Sequence, residues 1–304
     1  MAQPQAPLTA VALMITATLF IAGTMLAAKS LGTDILGAPL HPLQVTQGRF
    51  LFAFMGFIVA RSVLRPKICN PNITFHLSRT VCGATGITLM FAAVAFIPMS
   101  DATALGFLNP VFGMILAIPF LGEKVGRWRW LAAGMAFFGA LILLRLGPDT
   151  FQVPALLALG AAMAMGFELI FIKKLADREP PLQILLINNA IGSVLMSVAV
   201  ISFWAPPTLV QWSALLALGL MMAGAQTCFI NAMACADASY VTPFSYITLI
   251  FAGLYDWIIF AQIPDWVSVL GAAIIVSGAA LLAWREGIYL SQLRRRTVRI
   301  GNRP

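Results

Sequence analysis

Three ionisable side chains, Arg49, Glu168 and Asp256, stand well inside long apolar stretches of this 304-residue chain. A charge held in hydrocarbon costs at least about 2.5 to 3.5 kcal/mol, so each is expected to face a protein interior or a water-filled cavity. The chemistry this allows is ionic. A half-buried carboxylate at Glu168 is a site for a proton or a cation. Counted from the nearer end of its stretch at 1.5 Å per residue, Arg49 lies roughly 10 Å and Asp256 roughly 6 Å below one surface, depths that allow them to pair. Asn188 and Glu168 lie at nearly equal depth below the other surface, which suggests a second couple there. A structural tie from Arg49 to neighbouring spans stays open beside a binding role, and Asp256, within about a turn of water, also reads as a snorkelling side chain.

Thr24, Thr88, Asn109, Gln226, Asn231, Ser245, Tyr246, Thr248 and Tyr255 are the other polar groups able to line a cavity. Asn109 precedes Pro110 and Ser245 follows Pro243. A proline inside a span frees a backbone carbonyl that must find a partner or a cavity, which singles out both neighbourhoods. Gln226 and Asn231 read equally as interhelical hydrogen bonds, worth about 1 kcal/mol each. Phe107, Phe112, Phe167, Phe229 and Tyr246 offer either stacking faces or packing. No Gly-x-x-x-x-Gly-Lys-Ser/Thr stretch is present, so ATP drive within this chain is excluded. His41 and His76 are the only histidines and are expected on opposite sides, outside the bundle. That leaves no histidine metal site, no activated nucleophile and no expected cofactor.

The elements that position these groups follow from composition. With 60% hydrophobic and 10% charged residues, against about 25% charged in soluble domains, and a mean hydropathy of +0.91, the chain is a membrane protein. Apolar runs at 8–28, 42–60, 80–97, 101–121, 130–146, 153–172, 182–203, 209–233, 239–260 and 266–284 predict ten transmembrane helices. The remaining residues are too few for a soluble domain. Placing both termini in the cytoplasm puts 16 of the 19 Lys and Arg on that side, Arg79 among them, with only Lys29 and Arg145 outside. The basic tail 286–304 then flanks the last span and meets lipid headgroups; no nucleic-acid partner is expected. Met1 to Ala10 lack a positive leader region, so no cleavage is expected. Cys69, Cys82, Cys228 and Cys235 read as free thiols, and the sequon at Asn72 falls on the inner side. Trp128, Trp130, Trp204, Trp212 and Trp266 read as interfacial anchors.

The chain also repeats. Pro42-Leu43-Gln44 recurs as Pro181-Leu182-Gln183, and the same offset of 139 aligns Ser100 with Ser239, Thr103 with Thr242, Phe112 with Phe251 and Gly139-Ala140 with Gly278-Ala279. Two five-span halves result, 8–146 and 153–285. Five is odd, so the halves are expected to be inverted relative to each other, an architecture in which a central site opens to either side in turn.

Arg49 after an entry proline, Ala102-Thr103-Ala104-Leu105 leading to Leu108-Asn109-Pro110-Val111-Phe112, and Leu121-Gly122-Glu123 resemble the EamA repeat of the drug/metabolite transporter superfamily. Val241-Thr242-Pro243-Phe244-Ser245-Tyr246 and Gly271 to Gly278 resemble its partner repeat. One departure is that Phe260-Ala261-Gln262 stands where the Leu-Gly-Glu element is usual, with Asp256 nearby as a possible substitute carboxylate. The resemblance implies a multi-pass secondary transporter of the inner (plasma) membrane, not an enzyme, that moves a small organic metabolite by alternating access. Bacterial proteins of this kind include riboflavin importers and S-adenosylmethionine uptake carriers, and uptake of such a molecule is the leading expectation. Efflux of amino acids or drugs by proton antiport is the alternative, with an intramembrane enzyme or channel behind it. An acid and a base with aromatic walls suit an amphipathic or zwitterionic substrate. A proton or other coupling ion, and a monomeric or homodimeric state, stay open.

Overall fold

A computed structural model of the chain describes residues 7–64, 70–122, 126–144, 153–176, 178–235, 242–278 and 280–281. The expected tail at 286–304, the Glu123–Lys124 loop, Cys69 and Arg145 lie outside them. Among the described residues all regular structure is helical. The α-helices are α1 (Pro7–Leu31), α2 (Pro42–Leu64), α3 (Ile73–Val94), α4 (Met99–Gly106), α5 (Asn109–Leu121), α6 (Arg127–Leu144), α7 (Ala155–Ala176), α8 (Pro181–Ala199), α9 (Leu209–Cys235), α10 (Ile247–Phe260) and α11 (Trp266–Gly278). Short 3-10 turns occupy Asp34–Leu36, Ile201–Phe203 and Thr242–Tyr246. Seven stretches are long and apolar enough to cross a membrane, with α4 and α5 acting as one, and three shorter apolar helices accompany them. These match the ten runs read from the sequence.

The break between α4 and α5 has a local cause. Pro110 has no N–H to give the Gly106 carbonyl and its ring crowds the helical path before it. The Phe107 N–H turns to Thr103 and Ala104, and the helix restarts at Asn109. Two other helix ends are closed by left-handed residues 139 positions apart: Gly122 (φ +68) after α5 and Ala261 (φ +51) after α10.

Two boundaries correct the sequence reading. α3 begins at Ile73 rather than 80, capped by Asn72, whose Oδ1 accepts from the Phe75 N–H at 3.2 Å. His76, Arg79 and Thr80 are buried, while Ile73, Leu77 and Val81 are exposed. The polar face of this first stretch of α3 thus points into the protein, and a hydropathy average over the window hides it. Arg79, expected in a loop, and His76, expected outside the bundle, are both interior residues. Lys29, also expected in a loop, is buried in the last turn of α1.

α1 packs on α9, α3 on α7, and α2 on both α8 and α9; α3 also meets α8, α5 meets α7, and α10 meets α1. Glycines let backbones approach. A methyl on Gly86 of α3 would stand 3.1 Å from the Ala161 carbonyl of α7. Between α6 and α11 the contact is reciprocal: a methyl on Gly139 would reach the Gly271 carbonyl at 2.7 Å, and one on Gly271 the Gly139 carbonyl at 3.0 Å.

Candidate functional site

α1, α2, α3, α7, α8 and α9 enclose a cavity of about 350 Å³, within the range of small-molecule sites. It reaches the α7–α8 connection, where Ala176 and Pro181 line it, and its walls are mainly apolar, with Ile21, Ile87, Met222 and Phe229 among them. Its charged lining residues are Arg49, Arg79 and Glu168. The Arg79 Nε donates to Glu168 Oε1 at 3.3 Å and its Nη1 to the Ile184 carbonyl at 3.2 Å. Gly83 makes room for the carboxylate, because a methyl there would lie 2.8 Å from the Glu168 Cδ. Arg49 is 3% exposed, with its guanidinium 4.5 Å from the Phe50 ring centroid. Among the described residues neither its Nε nor its Nη1 has a hydrogen-bond partner.

Of the residues expected to form a site, Arg49, Glu168, Asn188 and Gln226 line this cavity. Asn188 Oδ1 accepts from the Thr80 hydroxyl at 3.0 Å, and Gln226 Oε1 is buried without a partner. Thr24 is buried on α1 and donates to the Ile21 carbonyl. Asn231 is exposed on α9 and donates to the Thr227 carbonyl of its own helix, away from the lining. Asn109 begins α5 where that helix meets Gly166 of α7. Tyr246 stacks edge-on against Phe107, with ring centroids 5.1 Å apart, and the Ser245 carbonyl accepts from the Thr248 hydroxyl. Phe167 stacks on Phe120, so of the five aromatics singled out only Phe229 faces the cavity, joined by Phe50. Trp212 is half-buried between Phe52 and Trp204, whereas Trp128, Trp130, Trp204 and Trp266 are exposed.

Asp256 does not pair with Arg49. It is fully buried and accepts from Lys29 Nζ at 2.8 Å and from the Ser100 N–H at 2.9 Å. Gln262 Oε1 accepts from the same ammonium at 2.7 Å, so Asp256 and Gln262 together serve the end of α10 where Leu-Gly-Glu is absent. Depth along a span gives height but not direction around the bundle, which is why the sequence reading matched the wrong cation. Nearby, the Ser268 hydroxyl donates to Asp101 Oδ2 and Gln211 Nε2 to the Ala38 carbonyl, further links between segments far apart in the chain.

A further polar cluster holds the α7–α8 connection. Glu179 accepts from the Asn72 N–H at 2.9 Å and from Gln183 Nε2 at 2.7 Å, and lies 2.8 Å from His76 Nε2. Burial pushes this carboxyl up, but the hydrogen bonds from Asn72, His76 and Gln183 outweigh burial and hold it below the usual carboxylate range. No group of three or more metal-ligating side chains occurs among the described residues.

The sequence matches one family twice, over residues 8–145 and again over 152–284. The chain belongs to the EamA-like transporter family. This EamA-like transporter is 32% identical over 225 residues to a riboflavin transporter of Vibrio cholerae, covering 73% of this chain and 76% of that one. It is 26% identical to an S-adenosylmethionine uptake transporter of Rickettsia bellii, covering 85% and 89%. It is 27% identical to the pseudopaline exporter CntI of Pseudomonas aeruginosa, covering 71% and 77%. The EamA-like protein is thus a multi-pass membrane transporter of small metabolites, and its relatives are named as carriers rather than enzymes.

Proposed function

We propose that this transporter takes up a riboflavin- or S-adenosylmethionine-like metabolite across the inner membrane by alternating access. The observation that carries the reading is a cavity with one end at the α7–α8 connection and a buried Lys29–Asp256 ion pair at the opposite end of the bundle. With both termini cytoplasmic, this is a carrier facing inward. Two inverted repeats, 8–146 and 153–285, supply the opposite state by exchanging roles. Three features support the inversion. The family matches each half separately. The strongest helix pairings, α1 with α9 and α7 with α3, convert into one another when the halves are exchanged. Positions 139 apart, Arg49 and Asn188, Gly83 and Met222, Ile87 and Gln226, line the same cavity.

Glu168 is the proposed site of ion coupling, since a proton arriving there would release Arg79 from its pair. Counterflow in proteoliposomes tests the carrier. Labelled riboflavin or S-adenosylmethionine is expected to enter faster when the vesicles hold unlabelled substrate. Flux that fails to saturate and ignores the trans compartment would overturn the reading.

A further inference from the structure

The two substrates named for the relatives differ in charge: riboflavin is neutral and edged with carbonyl and ring-nitrogen acceptors, whereas S-adenosylmethionine, with a sulfonium and an ammonium against one carboxylate, is a net cation. The cavity contributes two guanidiniums against one carboxylate. Arg79 is committed to Glu168 and to the Ile184 carbonyl. Glu168 is thus the single negative charge set against both guanidiniums, and its only hydrogen bond among the described residues comes from Arg79. The lining therefore carries one positive charge in excess at Arg49, on a side chain 3% exposed with two nitrogens unpartnered among the described residues. A buried charge without hydrogen bonds is costly, and an arginine presents a planar fork of donors suited to paired acceptors. Gln226 Oε1, buried in the wall of the same cavity and unpartnered among the described residues, is an acceptor in want of an N–H.

Resting on the carrier reading above, we propose that the cavity selects a neutral or anionic substrate with a carbonyl- or carboxylate-type acceptor edge docked on Arg49, and rejects cations. The apolar body of the substrate lies against Ile21, Ile87, Met222 and Phe229. An N–H beside the acceptor edge, as in an imide or amide ring, meets Gln226. A sulfonium placed in the same space meets an excess of positive charge, because the one carboxylate, Glu168, is already paired with Arg79 through its Oε1.

The test uses the purified full chain and a pair of probes that differ by one methyl group and one positive charge, S-adenosylmethionine and S-adenosylhomocysteine, with riboflavin as a third. Binding is measured by calorimetry and transport by counterflow. The thioether, a zwitterion of no net charge, and riboflavin are each expected to bind at least about tenfold more tightly than the sulfonium, the scale of one hydrogen bond to a charged group. In Arg49→Gln this ratio is expected to collapse towards one, through loss of riboflavin binding and gain of sulfonium binding, while Arg49→Lys keeps the sign of the preference. A structural role for Arg49 lowers all three affinities together and leaves the ratio in place, which overturns the proposal. Equal or tighter binding of S-adenosylmethionine, or no binding of either probe of zero net charge, also overturns it. Counterflow of the sulfonium alone sinks this inference and spares the carrier, whereas saturable binding without counterflow of any probe sinks the carrier.

Discussion

Lys29 and Asp256, 227 positions apart, form an ion pair of 2.8 Å whose side chains are 5% and 0% exposed. It joins the last turn of α1 to α10, and the Ser100 N–H and Gln262 complete the shell around it. Such a pair costs desolvation of two ions and holds only while every partner is in place.

Removing one partner is therefore expected to destabilise this end of the bundle by about 3–5 kcal/mol. Asp256→Asn and Lys29→Gln should each lower the midpoint of thermal unfolding, and the double variant should recover part of the loss. In a Thr33→Cys background, both single variants are expected to increase labelling by a water-soluble maleimide. Unchanged labelling would show that the pair does not hold this end closed.

Gly83 and Gly86 separate function from stability along one helix. A methyl at position 83 meets the flexible end of Glu168, whereas one at 86 meets the Ala161 carbonyl and the Met165 backbone nitrogen of α7. Gly83→Ala is expected to leave unfolding within about 0.5 kcal/mol yet reduce counterflow, because the carboxylate must leave its place beside Arg79. Gly86→Ala should cost about 1–3 kcal/mol from overpacking. Thermal unfolding and flux measured on both variants check the contrast.

Ala261 holds φ +51, where an L side chain is strained. The left-handed conformation costs about 1–2 kcal/mol for alanine, and glycine gives back about 0.4–1 kcal/mol through the unfolded chain. Ala261→Gly is thus expected to stabilise by about 0.5–1 kcal/mol, read from unfolding in detergent, with Gly122→Ala shifting the opposite way.

Glu179 predicts an acid-side dependence. Its carboxyl is held below the usual range in the folded protein, so it binds protons more weakly there than in the unfolded chain. The stability it adds is complete above the ordinary glutamate value of about 4.3 and is lost as pH falls through the lowered folded value. Unfolding midpoints measured between about pH 3 and 7 should fall less steeply in Glu179→Gln than in the parent.

The number and placing of the apolar helices were legible because each run is long and the loops between them short. Pro110 marked the neighbourhood of the α4–α5 break, but the run 101–121 was read as one unbroken span. Arg49, Glu168, Asn188 and Gln226 could be singled out because polar residues in apolar runs favour the interior, although Asn231, singled out on the same ground, is exposed. Arg79, His76 and Lys29 were hidden for the opposite reason: near a helix end, a run of polar residues lowers the average and reads as loop. The signal that finds them is spacing, for positions 76, 79, 80 and 83 share one face of α3. The pairing of Lys29 with Asp256 was not legible, because it depends on how α1 and α10 are turned about their axes.

The seam between α6 and α11 leaves no space for a single methyl group at Gly139 or Gly271, and neither helix contributes a residue to the cavity. The seam therefore bears on how the bundle assembles and not on the walls of the cavity. Substitutions along it should then alter how many molecules reach the membrane in working form, while each survivor turns over at its normal speed.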